Sequence, residues 1–131
     1  MDSKDEKKVW NIMKRAQSFA HAFRGIRLFF EMTPNAFIHV FVTVLVVIAG
    51  FYFKVSSFEW LVLVLTIGFV FVAEVFNTAI EIDINLTSPE YHPYARDTKD
   101  VSAGAVLLAS IISVIIGLII FLPKVLSMIQ F

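Results

Sequence analysis

Three apolar runs, 36–53, 61–79 and 101–122, leave this chain few ways to fold. They are 18, 19 and 22 residues long, close to the roughly 20 that a helix needs to cross a ~30 Å hydrocarbon core. A segment inside lipid has to satisfy its own backbone hydrogen bonds, which restricts it to a helix or a closed barrel. Runs of this length read as helices. They also hold most of the chain's apolar excess (58% hydrophobic residues, mean hydropathy +0.79), which a soluble domain would spread more evenly. The expectation is an all-α membrane protein, a single domain over 1–131 with three transmembrane helices.

Residues 8–31 read as an amphipathic helix ahead of the spans. Trp10, Met13, Ala16, Ala20, Phe23, Ile26 and Phe30 recur at spacings of three and four. Lys14, Arg15, Arg24 and Arg27 fall elsewhere, the pattern of a helix lying in the membrane interface. Thr33-Pro34-Asn35 interrupts it, and proline suits the first turn of a new helix. Lys54 to Glu59 makes a short turn, so the first two spans form an antiparallel hairpin, with Trp60 at an interface. Residues 81–100 carry Pro89 and Pro93 and read as a long irregular polar connection outside the bilayer. Ser102-Ala103-Gly104-Ala105 then opens the third span with small residues suited to close helix approach. Pro123 and Lys124 are expected to end it.

The basic residues orient the chain. Seven precede the first span, and Arg96 and Lys99 lie in the second connection on the same side. Only Lys54 and Lys124 fall on the other side, so the positive-inside rule places the N-terminus and residues 81–100 in the cytoplasm. The charged N-terminus argues against a cleaved signal peptide. With 11 basic and 11 acidic residues the net charge is zero, and no nucleic-acid partner is expected. The absence of cysteine excludes disulfides and thiolate chemistry.

One stretch stands out from this hydrophobic background. Glu74, Asn77 and Glu81 close the second run at i, i+3 and i+7, within roughly 60° of one another on a helix. An ionisable group inside a span costs on the order of 2.5–3.5 kcal/mol, which marks it as functional by default. The plain alternative is a carboxylate that snorkels, or that pairs with a lysine or arginine of a neighbouring helix. Glu81, Asp83, Glu90, Asp97 and Asp100 follow near the same membrane face, with Arg96 and Lys99 beside them. Hard oxygen ligands suit Mg²⁺ shared with substrate phosphates, and a carboxylate in an apolar surround suits a general base. His39, one turn into the first span, reads as a structural histidine, because no second histidine stands at metal-ligand spacing. No phosphate-binding glycine loop, kinase catalytic loop, zinc-protease or serine-hydrolase motif is present. These residues alone are equally compatible with phosphoryl transfer and with a small oligomeric transporter.

A more specific pattern runs through the same region: Ala73-Glu74-Val75-Phe76-Asn77-Thr78-Ala79-Ile80-Glu81, then Glu90-Tyr91-His92-Pro93, then Lys99-Asp100-Val101-Ser102-Ala103-Gly104-Ala105-Val106. In order and spacing it resembles the bacterial integral-membrane diacylglycerol kinase family, which includes the undecaprenol kinases. The resemblance implies a homotrimeric, ATP- and Mg²⁺-dependent kinase acting on a membrane lipid alcohol, undecaprenol or diacylglycerol, in the bacterial inner membrane. By the same resemblance Glu74 is the catalytic base and Glu81 binds metal and ATP. Asn77, Glu90, Tyr91, His92, Lys99 and Asp100 are nucleotide-site residues, and Lys14 stands where the family commonly has a basic nucleotide contact.

Two positions depart from the family pattern. Thr33 occupies the place of the second metal-binding glutamate, and Asn85 the place of a frequent aspartate. Glu31, two residues earlier, is the nearest substitute ligand, with Asp83 or a water as alternatives. The departure at Thr33 also leaves open an inactive family member that serves as an assembly subunit. The entry to the first span and the Phe58-Glu59-Trp60 start of the second favour the undecaprenol kinase branch.

Overall fold

A computed structural model describes residues 3–129, with side chains described from Trp10 onward. Four helices account for nearly all of it: α1 (Ser3–Met32), α2 (Pro34–Tyr52), α3 (Ser57–Thr87) and α4 (Pro93–Ile129). The last three are long and apolar enough to cross a membrane.

The α2–α3 hairpin is built by local chemistry at its turn. Lys54 adopts a positive φ of 50°. Its N–H bonds the Phe51 carbonyl at 3.2 Å, while the Val55 N–H bonds Gly50 at 3.0 Å. This pair of bonds is the Schellman ending, with lysine in the left-handed position that glycine usually takes. Val55, the residue after Lys54, is buried in a small cluster with Leu63 of α3 and Ile120 of α4. Ser56 and Glu59 then form a reciprocal capping box that starts α3. The other oxygen of Glu59 accepts from Lys124 Nζ at 2.7 Å, tying the end of α4 to the hairpin turn.

Two expected boundaries are corrected. Residues 81–100 are not an irregular connection, because α3 continues to Thr87 and α4 begins at Pro93, leaving only 88–92 outside helix. Polar residues beyond the bilayer remain helical when hydrogen-bonded along the axis, and Pro93 occupies the first helical position that proline tolerates. Nor does Pro123 end α4, which runs on to Ile129. A membrane helix can absorb one missing N–H bond where its neighbours support it.

At 1.5 Å per residue α2 is ~28 Å long, α3 ~46 Å and α4 ~55 Å. The surplus of α3 and α4 over a ~30 Å hydrocarbon core forms a two-helix polar projection, closed by the short 88–92 link. α1 is helical as expected. Its Trp10, Met13 and Phe23 side chains are exposed, and burial is confined to Phe29 near its C-terminal end. The face they form is not covered by the rest of the chain.

α2 approaches the start of α3 closely at Gly50. A Cβ added at Gly50 would lie 2.6 Å from Trp60 Cη2 and 2.7 Å from Cζ2. Gly104, in contrast, has open space around it, so the close approach of α4 to α3 is made by Ser102. Gly50→Ala gains about 1 kcal/mol of helix propensity but overpacks a bulky ring, which costs about 1–3 kcal/mol. Thermal unfolding in detergent should therefore show a lower Tm for Gly50→Ala, restored when Trp60 is also replaced by leucine.

Candidate active site

The polar stripe descends into the bundle along α3. Glu81 is exposed, Asn77 is half-buried, and Glu74 is 2% exposed. Each has a partner set by neighbouring helices.

Glu74 is paired across the hairpin with His39 of α2, whose Nε2 lies 2.9 Å from Oε1. The lysine or arginine partner of the plain alternative is not there: among the described residues His39 is the sole side chain bonded to this carboxylate. His39 is hydrogen-bonded, as a structural histidine is expected to be, and its partner is the residue singled out as base. The signal was present in the spacing. His39 and Glu74 stand 17 and 18 residues on either side of Ser56, which places them at one level of an antiparallel hairpin. The ring sits edge-on to Phe71, and the His39 carbonyl accepts from Thr43 Oγ1 one turn on.

One turn closer to the projection, Thr78 Oγ1 donates to the Glu74 carbonyl at 3.0 Å. Its single proton is thereby used, so the 2.6 Å contact between Thr33 and Thr78 is a bond donated by Thr33. Thr33 is buried, and its hydroxyl, though at the N-cap of α2, makes no capping bond. Where a glutamate would stand in the family pattern, the structure has a hydroxyl committed to α3.

Asn77 bridges α3 and α4. Its Nδ2 donates to Glu81 Oε1 at 3.1 Å, while its Oδ1 accepts from Ser102 Oγ at 2.7 Å. Ser102 shares its proton with the Lys99 carbonyl at 2.9 Å. The sequence reading gave Ser102 a packing role only.

Lys99 Nζ bonds Asn85 Oδ1 at 2.6 Å inside a polar pocket of about 350 Å³ at the tip of the projection. Glu90, Tyr91, His92, Arg96 and Asp100 line the same pocket. Five residues expected at a nucleotide site are thus brought together by the short 88–92 link. The His92 and Tyr94 rings lie 5.7 Å apart at 30°. Lys14 does not join them; its ammonium sits 3.5 Å over the Trp10 ring on α1.

Below the Glu74 level a second, apolar cleft of about 390 Å³ opens between α2, α3 and α4, and His39 forms part of its wall. The pair His39–Glu74 therefore stands between an apolar space within the membrane and a polar one outside it.

A divalent metal has a limited donor set here. No group of three or more acidic or histidine side chains converges among the described residues. Glu31 is hydrogen-bonded to Arg27 at 2.7 Å on the exposed side of α1, a contact that raises the guanidinium pKa further. Glu81 with Asn77 beside it remains, and one carboxylate shared with substrate phosphates is an ordinary way for a protein to hold Mg²⁺.

Fold and site together define a helical membrane protein that places a buried carboxylate beneath a polar pocket at one membrane face. Residues 20–121 match the family model described as prokaryotic diacylglycerol kinase. The chain is 43% identical over 124 residues to an undecaprenol kinase of Bacillus subtilis, covering 95% of this chain and 99% of that one. It is 37% identical over 124 residues to a diacylglycerol kinase of Synechocystis, covering 93% and 71%. Against a diacylglycerol kinase of Escherichia coli it is 31% identical over 71 residues, covering 54% and 58%. The chain belongs to the prokaryotic diacylglycerol kinase family, and it is a lipid kinase.

The Thr33–Thr78 bond makes its own prediction. Thr78→Val leaves the buried Thr33 hydroxyl without its acceptor, at a cost of about 1–3 kcal/mol. Replacing both threonines by valine removes the orphaned group, so thermal unfolding should place the double variant above Thr78→Val.

Proposed function

We propose that the protein transfers the γ-phosphoryl group of ATP to the hydroxyl of a membrane lipid alcohol at the cytoplasmic face of the bacterial inner membrane. Undecaprenol is the favoured acceptor over diacylglycerol, and a homotrimer is the working assembly. The observation that carries this reading is the position of Glu74, buried in the span and linked through His39 to an apolar cleft.

Glu74 takes the proton of the lipid hydroxyl as that oxygen attacks the γ-phosphorus. A new P–O bond forms, the bond to the β-phosphate oxygen breaks, and ADP leaves with the electron pair. Such a reaction needs positioning and charge stabilisation more than covalent chemistry from the protein. Lys99 and Arg96 are the cations for the phosphates, and the rings of Tyr91 and His92 offer a surface to the adenine, in the pocket they share with Glu90 and Asp100. Lys14 reaches the nucleotide only by leaving Trp10. Glu81, together with phosphate oxygens, would hold the Mg²⁺ that accompanies ATP, and the ion would supply charge neutralisation there.

The preference for undecaprenol rests on the near-complete mutual coverage with the Bacillus subtilis undecaprenol kinase. Cytoplasmic placement of the polar projection rests on the basic residues of α1, Arg96 and Lys99. The uncovered apolar faces of the spans leave room for partner subunits as well as lipid.

Two measurements test this reading. In mixed micelles with labelled ATP and Mg²⁺, the protein should phosphorylate undecaprenol faster than diacylglycerol. Glu74→Gln should lower transfer by at least ~100-fold, the lower range for losing a general base; undiminished transfer would reject Glu74 as the base. In a magnesium titration, Glu81→Ala should raise the half-saturating concentration by about tenfold or more. Glu31→Ala should leave it unchanged while Arg27 holds that carboxylate, and a shift would bring Glu31 into the metal site.

A further inference from the structure

We infer that His39 is a positioning residue for the reaction, fixing one oxygen of Glu74 so that the other faces the lipid hydroxyl. The inference rests on the lipid-kinase reading above and assigns a role within that same site.

Four observations carry it. First, an ionised carboxylate only accepts hydrogen bonds, so in the base-competent state the 2.9 Å contact is a bond donated by His39 Nε2–H. Second, that bond engages Oε1 alone. Among the described residues Glu74 Oε2 has no side-chain bond, so it is the oxygen left uncommitted on a carboxylate that is 2% exposed. Third, the imidazole is itself held. The ring stands edge-on to Phe71 with centroids 6.2 Å apart. Fourth, His39 also walls the apolar cleft. A lipid tail lying there would bring its head group to the side of the carboxylate that the histidine leaves open.

The chemistry favours a histidine at this place. A buried carboxylate without a donor is free to turn among its rotamers and is costly to keep charged. A lysine or arginine would stabilise the charge but form a full ion pair that competes with proton uptake. An imidazole N–H supplies direction from a short, planar side chain. A misplacement of about 1 Å in a reacting group can lower a rate on the order of 100-fold.

Two substitutions separate this role from simple packing. His39→Phe keeps a ring against Phe71 and removes the donor, while His39→Gln restores an N–H donor near the position of Nε2. In mixed micelles, His39→Phe should lower kcat about 100-fold with KM for ATP within about twofold, the pattern for losing an interaction made in the transition state. His39→Gln should recover kcat to within about tenfold of the unmodified protein. Unchanged kcat in His39→Phe overturns the inference. So does a His39→Gln as slow as His39→Phe, because donation to Glu74 would then not be what matters. If His39→Phe fails to fold, His39→Gln alone still decides, since a loss there near 100-fold overturns the role. Absence of any phosphoryl transfer by the unmodified protein defeats the lipid-kinase reading itself, whereas transfer that ignores position 39 defeats only the present inference.

Discussion

A carboxylate buried in a membrane helix has to be compensated on the spot, and the bond between Glu74 and His39 is where this chain does so. The penalty for leaving such a group alone is several kcal/mol, comparable with the whole stability of many small domains. The bond also requires the two helices to hold one register, because slippage by a residue turns each helix by ~100° and separates the partners. The features of the hairpin fix that register. The Schellman ending at Lys54, the capping box of Ser56 and Glu59, and the Trp60 ring seated on Gly50 set it at one end. The Thr33–Thr78 bond sets it at the other.

The second organising constraint is length. α2 matches the hydrocarbon thickness, while α3 and α4 exceed it. The end of α3 and the start of α4 carry Glu81, Asp83, Arg96, Asp97, Lys99 and Asp100, so the polar projection is a continuation of the spans. The Ser102–Asn77–Glu81 relay and the Lys99–Asn85 bond join the two helices just outside the buried carboxylate. Glu74 is buried between helices and Glu81 is exposed, so the two glutamates of one helical stripe meet different surroundings. A lipid hydroxyl and a nucleotide, which partition to opposite sides of a membrane boundary, can in this way be approached from one helix.

The spans were legible because lipid leaves the backbone so few options that length and hydropathy suffice. The hairpin followed from its short link, and the new helix at Pro34 from the fixed φ of proline. What misled was punctuation. Pro89 does lie in the irregular link, but Pro93 starts a helix and Pro123 lies within one, so neither marks irregular structure or a helix end. The stripe itself was visible at i, i+3 and i+7, since those spacings depend on a single helix. Of its partners, His39 was signalled only by its equal spacing from the hairpin turn, and Ser102 by nothing in its own local context, because both come from other helices.

The sequence by itself determined the all-helical class of structure and the three long apolar helices. These properties are local or additive along the chain, and a bilayer enforces them. Only the tertiary structure decided which groups meet: that Glu74 is held by a histidine rather than a lysine or arginine, that Thr33 bonds Thr78, and that Glu31 turns to Arg27. It also gathered Glu90, Tyr91, His92, Lys99 and Asp100 into one pocket. Such pairings depend on the rotation and register of whole helices against one another, quantities set by the sum of many contacts and by no single stretch of residues.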